Sequence, residues 1–128
     1  MNYLIDTCAF IWSLGDSPEL SSSVRQIIKQ GKNLYLSQTT LWEIAIKKTI
    51  KKLNLAETTY ELEQYCYEAD ILILPIINSC FETIQSIPYI HGDPFDRLII
   101  ATAIENDLTI ITRDNILVNE IDCRYYAA

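Results

Sequence analysis

An α/β fold with a mostly parallel central sheet is what the sequence predicts, and three observations predict it. Short apolar runs alternate with longer amphipathic ones along the chain. The short runs, such as Tyr3-Leu4-Ile5 and Thr109-Ile110-Ile111-Thr112, are continuously apolar, as strands buried on both faces require. The longer runs carry helix start and stop signals between those strands. At 128 residues the chain reads as one domain, residues 1–128.

Tyr3-Leu4-Ile5 is the first strand and stops at Asp6. Residues 8–14 follow as a short apolar helix. Residues 20–30 form the next helix, starting near Ser21 and stopped by Gly31. Asn33 to Leu36 is a strand followed by Ser37. Residues 39–52 read as a strong helix, with Thr40 and Glu43 at capping-box spacing and an apolar stripe through Leu41, Ile44 and Ala45. Residues 58–69 are helical, Ile71 to Leu74 is a strand stopped by Pro75, and residues 78–86 are helical. His91 to Pro94 is a loop. Asp93-Pro94 is a sharp helix start, Asp as N-cap and Pro at the first helical position. The helix runs to about Asn106 and is apolar nearly all round after Arg97, so it is buried. Leu108 to Thr112 is a strand, residues 116–119 a helical turn, and Ile121 to Tyr125 a last edge strand.

An apolar fraction of 49% with 21% charged residues excludes a disordered or low-complexity chain. The net charge of -7 argues, taken alone, against a protein that coats nucleic acid. The charge is uneven: residues 1–56 hold seven basic and four acidic residues, residues 57–128 three basic and thirteen acidic. Cys8, Cys66, Cys80 and Cys123 lack C-x-x-C spacing, which speaks against a zinc knuckle or redox motif and for reduced thiols in the cytoplasm. No signal peptide opens the chain, and no run of about 18 apolar residues marks a membrane span.

Several carboxylates do not fit a core. Asp6 and Asp114 follow strands, at the carboxyl edge of a parallel sheet where functional residues gather. Asp93 and Asp96 share a face at the start of the buried helix, and Glu43 lies in the first turn of another. Each has an ordinary structural use. Asp93 caps a helix, Asp96 favours its dipole, Glu43 caps or pairs with Lys47, and Asp6 and Asp114 serve turns. Together they repel one another unless a cation neutralises them. Carboxylates alone suit a hard ion, Mg²⁺ or Mn²⁺, rather than Zn²⁺. His91 reads as a loop residue sooner than as a base or ligand. No Gly-rich phosphate loop and no G-x-S-x-G elbow appears.

These residues carry a resemblance. Leu4-Ile5-Asp6-Thr7, Trp42-Glu43-Ile44-Ala45-Ile46-Lys47, His91-Gly92-Asp93-Pro94-Phe95-Asp96-Arg97 and Thr112-Arg113-Asp114 occur in this order. The sequence thereby resembles PIN-domain proteins of the VapC toxin type over essentially its whole length. The resemblance implies a three-layer α/β/α PIN-like domain and a Mg²⁺-dependent endoribonuclease. It also implies a cognate antitoxin protein as partner and a homodimer. It makes Asp6, Glu43, Asp96 and Asp114 the catalytic and metal-binding acids, with Asp93 a further acid at the site. Cys8 stands where members of this subgroup often carry His.

Chemistry agrees with that implication, since one or two divalent ions supply a nucleophilic water and neutralise the phosphate. Arg97 and Arg113, each beside a site acid, and Lys47 and Thr112 are the candidates to meet the RNA substrate. Their ordinary uses are salt bridges, a solvated helix face and a strand position. Two other readings compete: a catalytically silent PIN-like module that binds RNA or protein, and a metal-dependent DNA nuclease or phosphatase.

Overall fold

The computed structural model describes residues 1–88, 92–112 and, for the backbone alone, 125–127. The expected 116–119 turn, His91, Arg113, Asp114 and Cys123 lie outside the described residues. The elements are β1 (Tyr3–Ile5), α1 (Thr7–Leu14), α2 (Ser22–Gln30), β2 (Leu34–Ser37), α3 (Gln38–Thr49) and α4 (Thr59–Glu68). They continue with β3 (Ile71–Leu74), α5 (Asn78–Ser86), α6 (Pro94–Glu105), β4 (Thr109–Thr112) and β5 (Tyr125–Ala127).

Local chemistry sets most boundaries. The Ser21 hydroxyl accepts from Val24 N to start α2, and Gly31 ends it at a φ of 60°, a left-handed conformation that glycine adopts without Cβ strain. Thr58 and Glu61 form a reciprocal capping box on α4. Asp93 caps α6, its Oδ1 accepting from Phe95 N and Asp96 N, with Pro94 at the first helical position. The capping box expected of Thr40 and Glu43 does not form. α3 begins directly at the end of β2, so Ser37 takes the N-cap place and accepts from Thr39 N. The side chains of Thr40 and Glu43 are thereby left for the site.

All five strands run parallel, in the order β3-β2-β1-β4-β5. The last strand is an edge strand as expected, described at Tyr125–Ala127; residues 121–124 of the expected strand lie outside the described residues. Adjacent strand residues face opposite layers. Leu4 and Ile110 join the core beneath α5 and α6. Ile5 and Ile111 join the core shared with Phe10, Val24, Ile44 and Leu62 from α1 to α4. The architecture is therefore three layers. Phe10 is fully buried there; burying such a ring contributes about 1.5–3 kcal/mol.

The strand order locates the site. The chain moves outward from β1 to β2 to β3, then returns through α5 and α6 to place β4 on the other side of β1. The direction in which successive strands are added therefore reverses between β1 and β4. The crevice above the carboxyl ends at such a switch point is where α/β sheets bind ligands. β1 opens into Asp6 at this crevice, where Asp6 N donates to Ile111 O of β4 at 3.0 Å.

Candidate active site

Asp6 ends β1 and caps α1, its Oδ1 accepting from Ala9 N at 2.9 Å. The cap holds the carboxylate at the crevice while it satisfies a helix-end N–H. Thr7, the next residue, is buried. Its hydroxyl donates to Glu43 Oε1 at 2.6 Å and lies 3.1 Å from the Thr40 hydroxyl. Glu43 itself is 3% exposed. Its other oxygen, Oε2, accepts from Lys47 Nζ at 2.5 Å, one helical turn further along α3. A nearly buried carboxylate thus has both oxygens engaged, as burial of a charge requires.

Asp96 reaches the same place from the other layer. It sits in the first turn of α6, after the Asp93 cap. Trp42 of α3 packs edge-on against Phe95 of α6, with ring centroids 4.8 Å apart. That contact joins the immediate sequence neighbours of Glu43 and Asp96, and so fixes the two acids relative to each other.

The charges of these acids bear on Cys8 and Lys47. Cys8 lies at the surface. Packing around its thiol, then the charges of Asp6, Glu43 and Asp96, raise its pKa, and Lys47 opposes them. Three acids from three elements therefore act on one sulfur. Lys47 is raised first by its bond to Glu43, against partial burial, with the charges of Glu43 and Asp93 adding. The expected Glu43–Lys47 pairing is present, and Asp93 both caps α6 and bears on that lysine.

Among the described residues no three Asp, Glu, His or Cys side chains already stand close enough to enclose a metal ion. Lys47 occupies one oxygen of Glu43, and Asp114 lies outside the described residues. The donor chemistry nevertheless fits a hard divalent cation. Asp6, Glu43 and Asp96 offer carboxylate oxygens, and the one soft donor among them, Cys8, is biased toward its protonated form.

The cations expected at the substrate have other visible attachments. Arg97 donates to the carbonyls of Ile84, Ile87 and Pro88, tying the start of α6 to the end of α5. Lys48 donates to Glu57 O at 2.5 Å. Thr112 is buried at the carboxyl end of β4. Thr7 entered the sequence reading only beside Asp6 and Thr40 only as a cap, so their contacts around Glu43 were missed. The available signal was a threonine beside Asp6 and another three residues before Glu43, both within apolar segments.

The PIN domain family model matches residues 3–121. The chain belongs to the PIN domain family. This PIN domain is 29% identical over 112 residues to Ribonuclease VapC22 of Mycobacterium tuberculosis, covering 87% of this chain and 85% of that protein. Its fold is similar to a chain of DNA-bound VapBC from Salmonella typhimurium, at a TM-score of 0.74, with 16% identity and 98% and 97% of the two chains covered. It is similar also to a chain of VapBC2 from Rickettsia felis bound to a promoter DNA fragment, at 0.71, with 17% identity and 98% of each chain covered. A toxin-antitoxin complex from Klebsiella pneumoniae matches at 0.58, with 22% identity and 91% and 90% covered. The PIN domain carries no helix, among its described residues, long and apolar enough to cross a membrane.

Proposed function

We propose that this PIN domain is a Mg²⁺-dependent endoribonuclease, the toxin of a VapBC-type pair acting in the cytoplasm. The observation that supports the reading is the linkage of the segments bearing the acids: Thr7, next to Asp6, bonds Glu43, and Trp42, next to Glu43, packs on Phe95, next to Asp96. The curated relative is a ribonuclease by name, and the similar structures include a toxin-antitoxin complex. An antitoxin protein is accordingly the proposed partner.

In this reading Asp6, Glu43, Asp96 and Asp114 hold a divalent cation, with Asp93 as a further acid. Bound there, Mg²⁺ or Mn²⁺ supplies charge neutralisation and an activated water for phosphodiester hydrolysis. The chain's own residues do the rest. Thr7 fixes the rotamer of Glu43 so that its carboxylate faces the crevice. The Asp6 and Asp93 caps fix the ends of α1 and α6 to within a hydrogen bond. Lys47, bonded to Glu43, and Arg113, next to Asp114 in sequence, are the proposed phosphate contacts, together with Thr112 and Arg97. Few cations serve this role, so RNA affinity should depend only modestly on salt. Association with a second copy is supported by Trp42, Ile46 and Ile50, part-exposed along α3 and its C-cap. Such an exposed apolar stripe is a common mark of an interface.

The test is incubation of the purified chain, freed of any partner, with total RNA in Mg²⁺ or in EDTA, beside Asp6→Ala. RNA fragments are expected only from the wild type in Mg²⁺. Cleavage that persists in EDTA or in Asp6→Ala defeats the reading. RNA bound but left whole indicates a binding module instead, and cleavage of DNA alone indicates a DNA nuclease.

A further inference from the structure

We propose that Lys47 is the resident counter-ion of the acid cluster, and that it leaves Glu43 when a divalent cation enters. The inference rests on the metal-dependent reading above and adds an exchange step within the chain itself.

Two donors divide the Glu43 carboxylate. Thr7 holds Oε1 and Lys47 holds Oε2. The two are unequal in mobility. Thr7 is 6% exposed and fixed at the start of α1, with its hydroxyl also against Thr40. The Lys47 side chain is 38% exposed, against 4% for Glu43. It reaches the acid on a flexible four-carbon stem. One anchor is thus buried and short, and the other is a long, partly exposed side chain.

Without a cation of some kind, a nearly buried Glu43 close to Asp6 and Asp96 would be strongly disfavoured. Lys47 supplies that charge from within. An ammonium and a divalent ion compete for one carboxylate oxygen, because two positive centres so close together repel. Entry of the ion therefore expels the ammonium. Glu43 stays aimed by Thr7, and Lys47 is delivered, charged, to the mouth of the crevice. The same exchange gives the resting chain a neutralised site and the loaded chain a cation for a phosphate oxygen.

The experiment is Mn²⁺ titration of the full chain, free Mn²⁺ being read by electron paramagnetic resonance. The chains compared are wild type, Lys47→Gln, Lys47→Arg and Lys47→Gln/Glu43→Gln, each checked by thermal melting. Removing one competing charge should tighten Mn²⁺ binding by about tenfold in Lys47→Gln, on the scale of a one-unit shift from a neighbouring charge. Lys47→Arg should bind no more tightly than wild type, and the double variant should lose the gain. Equal affinity in wild type and Lys47→Gln, or weaker binding in Lys47→Gln, overturns the exchange and leaves the metal reading standing. Absence of Mn²⁺ binding in every chain overturns both. A measurement on the wild type guards against a misfolded variant. The Lys47 ¹³Cε resonance should move on Mg²⁺ addition, and a resonance that stays still while calorimetry records Mg²⁺ binding again overturns the exchange alone.

Discussion

Replacing Thr7 with Val should cost this fold far more than an ordinary threonine-to-valine change. The Thr7 hydroxyl sits 2.6 Å from Glu43 Oε1 and 3.1 Å from the Thr40 hydroxyl, in a buried setting. A hydrogen bond to a charged group contributes about 1.5–3 kcal/mol, and one between neutral groups about 1 kcal/mol. Valine fills the same volume, so no cavity adds to the loss. The expected destabilisation is about 3 kcal/mol, equivalent to a melting temperature lower by roughly 10 °C in a chain of this size. Urea unfolding followed by circular dichroism measures it. Thr7→Ser, which keeps the hydroxyl, should lose about 1 kcal/mol at most. A double-mutant cycle with Glu43→Gln isolates the pair and should return a coupling of about 1–2 kcal/mol. A Thr7→Val chain within about 0.5 kcal/mol of wild type, or a cycle with no coupling, would refute the assignment of Thr7 as the residue that positions Glu43.

Asp6→Asn should keep the α1 cap, because Asn accepts from Ala9 N as Asp does. Its unfolding midpoint should stay within about 0.5 kcal/mol of wild type, while RNA cleavage in the gel assay falls at least a hundredfold. Arg97→Gln should lower stability by about 2 kcal/mol through its three carbonyl contacts, read as a lower urea midpoint. Burial, with a smaller contribution from Glu63, lifts the Cys66 thiol from the ordinary 9.0 to about 11. The unfolded chain then ionises at this position first, so stability should fall as pH rises from about 9 to about 11. Comparing wild type with Cys66→Ala by urea unfolding at pH 8 and pH 10.5 checks it, and the pH-dependent loss should be smaller in the variant.

Much of the fold was legible because its signals are local. Asp93-Pro94 starts α6 and Gly31 ends α2 through chemistry confined to a few residues. The apolar strands of β1 and β4 announced a sheet covered on both faces. The return of β4 to the far side of β1 has no local signature, since it depends on how whole layers cover the sheet. Glu43 shows the same limit at the site. Its spacing from Thr40 suggested a capping box, yet Ser37 took the cap because β2 runs into α3 without a loop. The carboxylate then found Thr7, thirty-six positions away in sequence. Arg97, chosen for standing beside Asp96, instead joins two helices whose contact no sequence window contains. The acids themselves were visible as charges at the ends of apolar segments. What positions them was not, because those partners come from other parts of the chain.

The placement of β4 beside β1 also carries a consequence in time. During synthesis β1, β2 and β3 emerge first and can pair in chain order, but β1 lacks its second neighbour until residues 109–112 have been made. Asp6 N finds the carbonyl of Ile111 only then, and Asp96 arrives with the helix immediately before. The nascent chain therefore passes through most of its length with the crevice open on one side and its acids apart. Under the function proposed above, the ribonuclease site closes only once β4 has left the ribosome, which leaves an antitoxin made at the same time an interval in which to bind.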